Sequence, residues 1–197
     1  MSNTREDTRK IAVWVAMANH FLDTETRQDI PRTALCCVEA GLSPSEVSAV
    51  WRYEVTPAVG FNLHCVAGEW AGWDRDWLLD RILSAGRNAT WLDPRSWFAR
   101  LQPNDGLCEA IARCVALLSA LPSAVAREQL VADLTLLTSH YFDFCPAPLA
   151  ALDSDGWSRL RALFEGPFRP LLESVLVSGE ASVAQARVLA ALQGARA

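Results

Sequence analysis

Lysine is nearly missing from this chain: Lys10 stands alone beside 17 arginines. With alanine abundant, this reads as the codon bias of a GC-rich genome rather than as chemistry. Positive charge is not in excess either. The net charge is −5, with 13 acids and 11 bases in residues 1–100 and 10 and 7 in residues 101–197. Neither half offers the clustered basic face that a phosphate backbone needs, so no nucleic acid is expected as a partner. Apolar runs fall far short of the ~18 residues of a membrane-spanning helix, so no membrane is expected. No alternation of apolar and polar residues lasts beyond four positions, and no solenoid period repeats. Those absences leave an all-α reading.

Chemical motifs are as scarce. No GxGxxG or GxxxxGK[ST] loop cradles a phosphate, and no GxSxG presents a nucleophile. The six cysteines (Cys36, Cys37, Cys65, Cys108, Cys114 and Cys145) include no CxxC, and no secretory signal precedes them. Among apolar neighbours they read as small hydrophobes in a reducing cytosol. His64-Cys65, Cys36-Cys37 and His140 with Asp143 and Cys145 lack the convergent spacing of a zinc site. An orienting hydrogen bond explains His140 and Asp143 better than a shared cation. No metal and no cofactor is expected.

What is present is amphipathic helix. The composition is 51% apolar and 21% charged, enough to bury a core without metals or disulfides. Residues 5–22 form the first predicted helix, burying Ile11, Trp14, Val15, Ala18, Phe21 and Leu22. His20 near its end is expected as a packing or capping imidazole, its partial charge suited to the dipole. Asp23-Thr24-Glu25-Thr26 offers cap oxygens for a second helix with Pro31 in its first turn, ending at Ala40 before Gly41. Ser43-Pro44-Ser45-Glu46 spells a capping box. That helix is expected to bury Val47, Val50, Trp51 and Val55, and Thr56-Pro57 to end it. The pair of helices over 28–55 carries too little positive charge to read DNA as a helix-turn-helix.

The chain is organised around residues 60–84, which hold Trp70, Trp73 and Trp77, glycines 60, 68 and 72, and Glu69, Asp74, Asp76 and Asp80. Gly60 is expected to permit a tight turn. Asp74 should cap a helix over 75–85 with Trp77, Leu78, Ile82 and Leu83 inside, Asp76, Asp80 and Arg81 outside, and Gly86 at its stop. Trp91 should hold a loop, and Asp93-Pro94 should open a helix burying Trp97, Phe98 and Leu101. Gln102–Gly106 is a candidate boundary. Helices are then expected over 105–120 (Leu107, Ile111, Cys114, Val115, Leu118 inside), 124–144 (Leu130, Leu134, Leu137, Tyr141, Phe144), 155–165, 168–178 and 183–193, with Ser123 and Ser182 as caps and Gly166-Pro167 as a break. The apolar 105–120 helix is expected at the centre of the second half.

Carboxylate catalysis needs a buried acid with a shifted pKa. Asp74 is explained as a cap and Asp76 and Asp80 as a solvated face. Glu69, among small and aromatic residues, is explained first by a structural ion pair or a helix-end hydrogen bond.

FLDTE (21–25), WRYEVTPAVGFNL (51–63) and VAGEWAGWDRDWLLDRIL (66–83) together resemble a group of small uncharacterised bacterial helical proteins. The resemblance covers about residues 10–85, with VAGEWAGWD its specific part and Trp73 standing where Phe is usual. It transfers no catalytic residue. By analogy, it implies proteins like the immunity or accessory proteins that sit beside bacterial toxins.

The expected fold is therefore an irregular all-α bundle of about nine helices with short loops. It forms one domain over 1–197, or two packed halves, 1–101 and 105–197. The expected function is non-catalytic: a cytoplasmic protein-binding domain, an immunity-type inhibitor occluding a toxin encoded nearby. Glu69, Trp70, Trp73, Asp74, Asp76 and Asp80 are its candidate binding residues, because exposed tryptophans among acids make a hot spot. The alternative is a small-molecule sensor with an aromatic pocket near Trp70 and Trp73. A third reading, an enzyme using Glu69, His64 or His140, requires those groups to share one cleft.

Overall fold

The computed structural model describes residues 3–22, 24–64, 72–87, 105–142, 149, 152–172, 175 and 180–194. It is all-α, with no strand among the described residues. Helix α1 (Asn3–Ala18) ends in a 3-10 turn, Asn19–Phe21. A second 3-10 turn, Arg27–Asp29, leads into α2 (Ile30–Glu39). Helix α3 (Pro44–Val50) runs through a π turn (Trp51–Val55) into α4 (Thr56–Val59) and a 3-10 turn, Gly60–His64. There follow α5 (Arg75–Arg87), α6 (Asp105–Ser119), α7 (Ala124–Tyr141) and α8 (Ser154–Leu163). A π turn (Phe164–Phe168) bends into α9 (Arg169–Leu172), and α10 spans Glu180–Gly194.

Local chemistry sets several of these ends. Ser43 N–H donates to Glu46 Oε2 at 2.8 Å, and Glu46 N–H donates back to Ser43 Oγ at 3.4 Å, which completes the capping box. Gly41, at φ 79°, takes the left-handed position after α2. There the Leu42 and Gly41 N–H groups reach the Cys37 and Val38 carbonyls at 2.9 and 3.0 Å, closing a Schellman motif. Ser123 Oγ accepts from Ala126 N–H at 3.1 Å, and Asp153 Oδ1 from Gly156 N–H at 2.7 Å.

Other ends differ from expectation. No side chain of residues 24–26 caps α2; the Arg27–Asp29 turn starts it instead, with the Thr26 carbonyl accepting from Asp29 N–H. Pro57 does not end its helix. Proline lacks an N–H and clashes with the carbonyl four residues back, and a widened π turn absorbs both problems. Within it the Thr56 hydroxyl donates to the Trp51 carbonyl at 2.7 Å. Gly60 then sits at ordinary right-handed angles, φ −59° and ψ −25°, so its turn makes no use of glycine's freedom. Helix α5 continues through Gly86 to Arg87, and α10 begins before Ser182. Helix α7 ends at Tyr141, three residues early. The break at Gly166-Pro167 is present, with Gly166 at φ −100° and ψ −110°. The expected helix after Asp93-Pro94, with Trp91, Trp97, Phe98 and Leu101, lies outside the described residues, as does Phe144.

Helix α2 sits at the centre, packed on α1, α6 and α7. Helix α6, expected as the core of a second half, lies chiefly against α2 and α3. Helix α7 bridges α2, α8 and α10, while α5 packs on α4, the first π turn and α1. The buried cluster runs through all of these, with Trp51, Phe21, Met17, Ile111, Leu134, Tyr141 and Phe164 among its largest members. On α1 the buried face is turned from the expected stripe: Val13 and Met17 are inside, whereas Ile11, Val15 and Leu22 are half-buried. Asp133 on α7 is also inside, held by Arg159 Nε and Gln129 Nε2, each at 3.0 Å.

Candidate interaction site

The site grows from the start of α5. Gly72, at φ 124°, takes a backbone conformation that side chains resist, and the chain then enters the helix. Asp74 caps it, its Oδ1 accepting from Trp77 N–H at 2.8 Å while its carbonyl accepts from Leu78 N–H at 2.9 Å. Positions four apart on a helix share a face, and Trp73 and Trp77 straddle the cap at that spacing. Their rings stack with centroids 5.6 Å apart and planes 7° from parallel. An aromatic just before the cap that packs on the first turn fixes the angle at which the chain enters.

Trp73 is half-buried and Trp77 is 42% exposed. The inner ring is tied down: Trp73 Nε1–H donates to the Ala18 carbonyl at 2.9 Å. Ala18 closes α1 and opens the Asn19–Phe21 turn, so the indole ties the start of α5 to the junction between them. Beside the stack, Arg81 donates from Nε to the Ala58 carbonyl at 3.3 Å. Its guanidinium carbon lies 5.4 Å from the Phe61 ring centre and 5.9 Å from that of Trp77, within cation–π range. Phe61 is 46% exposed. The next residue, Asn62, is buried and donates from Nδ2 to the Phe21 carbonyl at 2.8 Å. Two aromatic groups thus stand at the surface on a frame hung from both ends of the Asn19–Phe21 turn.

The predicted site residues divide accordingly. Trp73 supports the stack, Asp74 is committed to the cap, and Asp76 and Asp80 face solvent on α5. Glu69 and Trp70 lie outside the described residues, as do Cys65, Gly68, Asp143, Cys145 and the side chain of His64. Trp77 and Leu83, expected inside, are exposed, because α5 buries only the stripe of Leu78 and Ile82. Phe61 and Arg81 were not singled out by the sequence. The four-residue spacing of Trp73 and Trp77 was the available signal.

His20 differs from its expected character while keeping its packing role. It is 2% exposed, bonds through Nε2 to Thr33 Oγ1 at 2.9 Å, and packs against Trp51 with ring centres 6.1 Å apart. Burial pulls its pKa down to about 4, with Glu25 opposing, so the ring is neutral rather than a cation on the helix dipole. The thiols of Cys37 and Cys114 are pushed up to about 12, mainly by burial, and those of Cys36 and Cys108 are raised by burial too. Such thiols are poor nucleophiles. Among the described residues no three His, Cys, Asp or Glu side chains converge to hold a metal ion. No described helix is long and apolar enough to cross a membrane.

Residues 8–105 match a protein family described as a domain of unknown function, DUF7079. The match agrees with the similarity to an uncharacterised family expected over about residues 10–85. No curated protein and no solved structure matches the chain. The α5 surface and the turn that anchors it both fall inside the matched segment.

Proposed function

We propose that this chain is a non-catalytic protein-binding domain, an immunity-type inhibitor that covers a bacterial toxin, acting in the cytoplasm. The face formed by Trp77, Phe61 and Arg81 is its contact surface, with Asp76 and Asp80 at the rim. The exposed Trp77 stacked on an anchored Trp73 is the observation that supports this reading. Tryptophan and arginine are the residues most often found at binding hot spots. A ring already held in place loses little freedom on binding, which favours affinity. The rim carboxylates suit a partner with basic side chains, in keeping with the net charge of −5. The alternative, a small-molecule sensor with an aromatic pocket near Trp70 and Trp73, draws no comparable support from the described residues, which do not include Trp70.

The test is capture of a stoichiometric partner from native lysate, followed by co-expression with the neighbouring gene product. Trp77→Ala is expected to abolish capture of that partner while lowering the melting temperature by only a few degrees. Unchanged capture by Trp77→Ala would remove this face from the reading. Rescue of growth by the wild-type chain, when the partner is toxic, is the outcome expected of an inhibitor.

A further inference from the structure

Both supports of the aromatic face hang from one short turn. Trp73 hangs from the Ala18 carbonyl and Asn62 from the Phe21 carbonyl, at 2.9 and 2.8 Å. Between these two acceptors lies His20, buried in the same turn. Its surroundings hold a neutral ring and give a second proton nowhere to go. Nε2 is paired with the Thr33 hydroxyl from α2, and Nδ1 is buried with no hydrogen-bond partner among the described residues. From the first π turn it meets the apolar ring of Trp51, on which Phe21 also packs at 4.8 Å. The charged group acting on it is Glu25, whose carboxylate is already engaged by the Arg27 guanidinium.

We propose that His20 positions the aromatic face, and that a second ring proton taken from solvent expels the turn and releases both anchors while the rest of the bundle stays folded. An imidazolium carries a second N–H that must be solvated, and the closed turn offers it no acceptor. The open turn lets it reach water. Opening withdraws the Ala18 and Phe21 carbonyls from Trp73 and Asn62, so the indole stack and Phe61 lose their common frame together. Only the consequence for partner capture rests on the function proposed above; the latch itself is a property of the isolated chain.

The sign follows from the depressed pKa of the buried ring. Falling pH favours the open form from about 6.5 downwards, and the effect levels off below about 4. The open population should rise roughly 150-fold between pH 7.5 and pH 4.

The experiment is hydrogen exchange of the whole chain followed by NMR, corrected for intrinsic exchange rates. The Trp73 indole N–H is compared with the backbone amides of Ile111 and Val115 in α6. The proposal expects the indole to lose protection over this pH range while the α6 amides keep theirs. Joint loss of protection at both places, or a flat indole profile, would overturn it. In His20→Gln, whose neutral amide can still bond Thr33, the indole profile is expected to be flat; an unchanged pH dependence there also overturns the latch. If that variant does not fold, the wild-type comparison of indole and α6 amides decides alone. None of these readouts involves a partner, so they fail independently of the Trp77→Ala capture test.

Discussion

The indole N–H of Trp73 closes on the carbonyl of Ala18 at 2.9 Å, across 55 residues of chain. This bond joins the start of α5 to the end of α1 and holds the inner half of the exposed stack. Trp73→Phe keeps most of the ring and removes the donor. It is expected to cost about 1–2 kcal/mol, because the Ala18 carbonyl loses the indole N–H. Urea denaturation of the two proteins measures the difference, and a loss below ~0.3 kcal/mol would show that water replaces the indole at no cost.

The π turn rests on a buried ring and one hydroxyl. Trp51→Ala should cost about 3–5 kcal/mol, the range for emptying a large aromatic site in a core. Thr56→Val should cost about 1 kcal/mol, since the Trp51 carbonyl loses the Thr56 hydroxyl. Both are read from the shift of the unfolding midpoint at constant slope.

The capping box at Ser43 gives a sharper comparison. Ser43→Ala should cost about 1 kcal/mol, and Ser43→Asp should restore most of it, because aspartate also caps. A restored stability in Ser43→Asp identifies the cap, rather than local packing, as the source.

The thiols predict an order of modification. Cys36 is half-buried, whereas Cys37 and Cys114 are buried with thiols pushed up to about 12. Iodoacetamide at pH 8, followed by mass spectrometry of peptides, should label Cys36 before Cys37 and Cys114. Labelling of Cys37 and Cys114 should wait for unfolding and track it on addition of urea. Rapid labelling of Cys114 in the native protein would contradict its burial.

Acid should also loosen the link between the Arg27–Asp29 turn and α7. Burial pushes the Glu25 carboxyl up, but its bonds with Arg27 outweigh that and leave it below its usual value. The Arg27 guanidinium meanwhile lies 4.2 Å from the Phe142 ring centre. A folded-state pKa below the unfolded one gives stability that is present at neutral pH and lost as pH falls through the carboxylate range. Glu25→Gln should therefore lower the melting temperature at pH 7 and narrow the gap to wild type below pH 4. An equal gap at both pH values would separate the carboxylate from the stability of this corner.

What the sequence made legible was local. Ser43 and Glu46, Gly41, Asp74 and Ser123 act on backbone groups within a few residues of themselves, so their spacing alone discloses their roles. The all-α class was legible for the same reason. What escaped depended on which element lies opposite. Trp77 lies on the apolar side of α5 by composition, yet α4, the π turn and α1 cover only Leu78 and Ile82. Asp133 carries no local sign of burial; Arg159, placed against it from α8, supplies the reason. Pro57 reads as a terminator until a buried Trp51 and the Thr56 hydroxyl stabilise a wider turn. His20 reads as a dipole-facing cation until Thr33 and Trp51 enclose it. For the candidate site, Asp74 was legible as a cap and Trp73 as a binding residue, but the task of Trp73 as an anchor on the Ala18 carbonyl was not.

Helix α6 begins where the segment of recognisable kinship stops, and it lies chiefly against α2 and α3 inside that segment. The stretch that similarity delimits and the stretch that can keep its own interior dry are therefore different. A chain severed after residue 104 would expose the α6-facing sides of α2 and α3 to water. Any relative bearing only the matched part needs a substitute for α6, supplied by its own sequence or by another molecule.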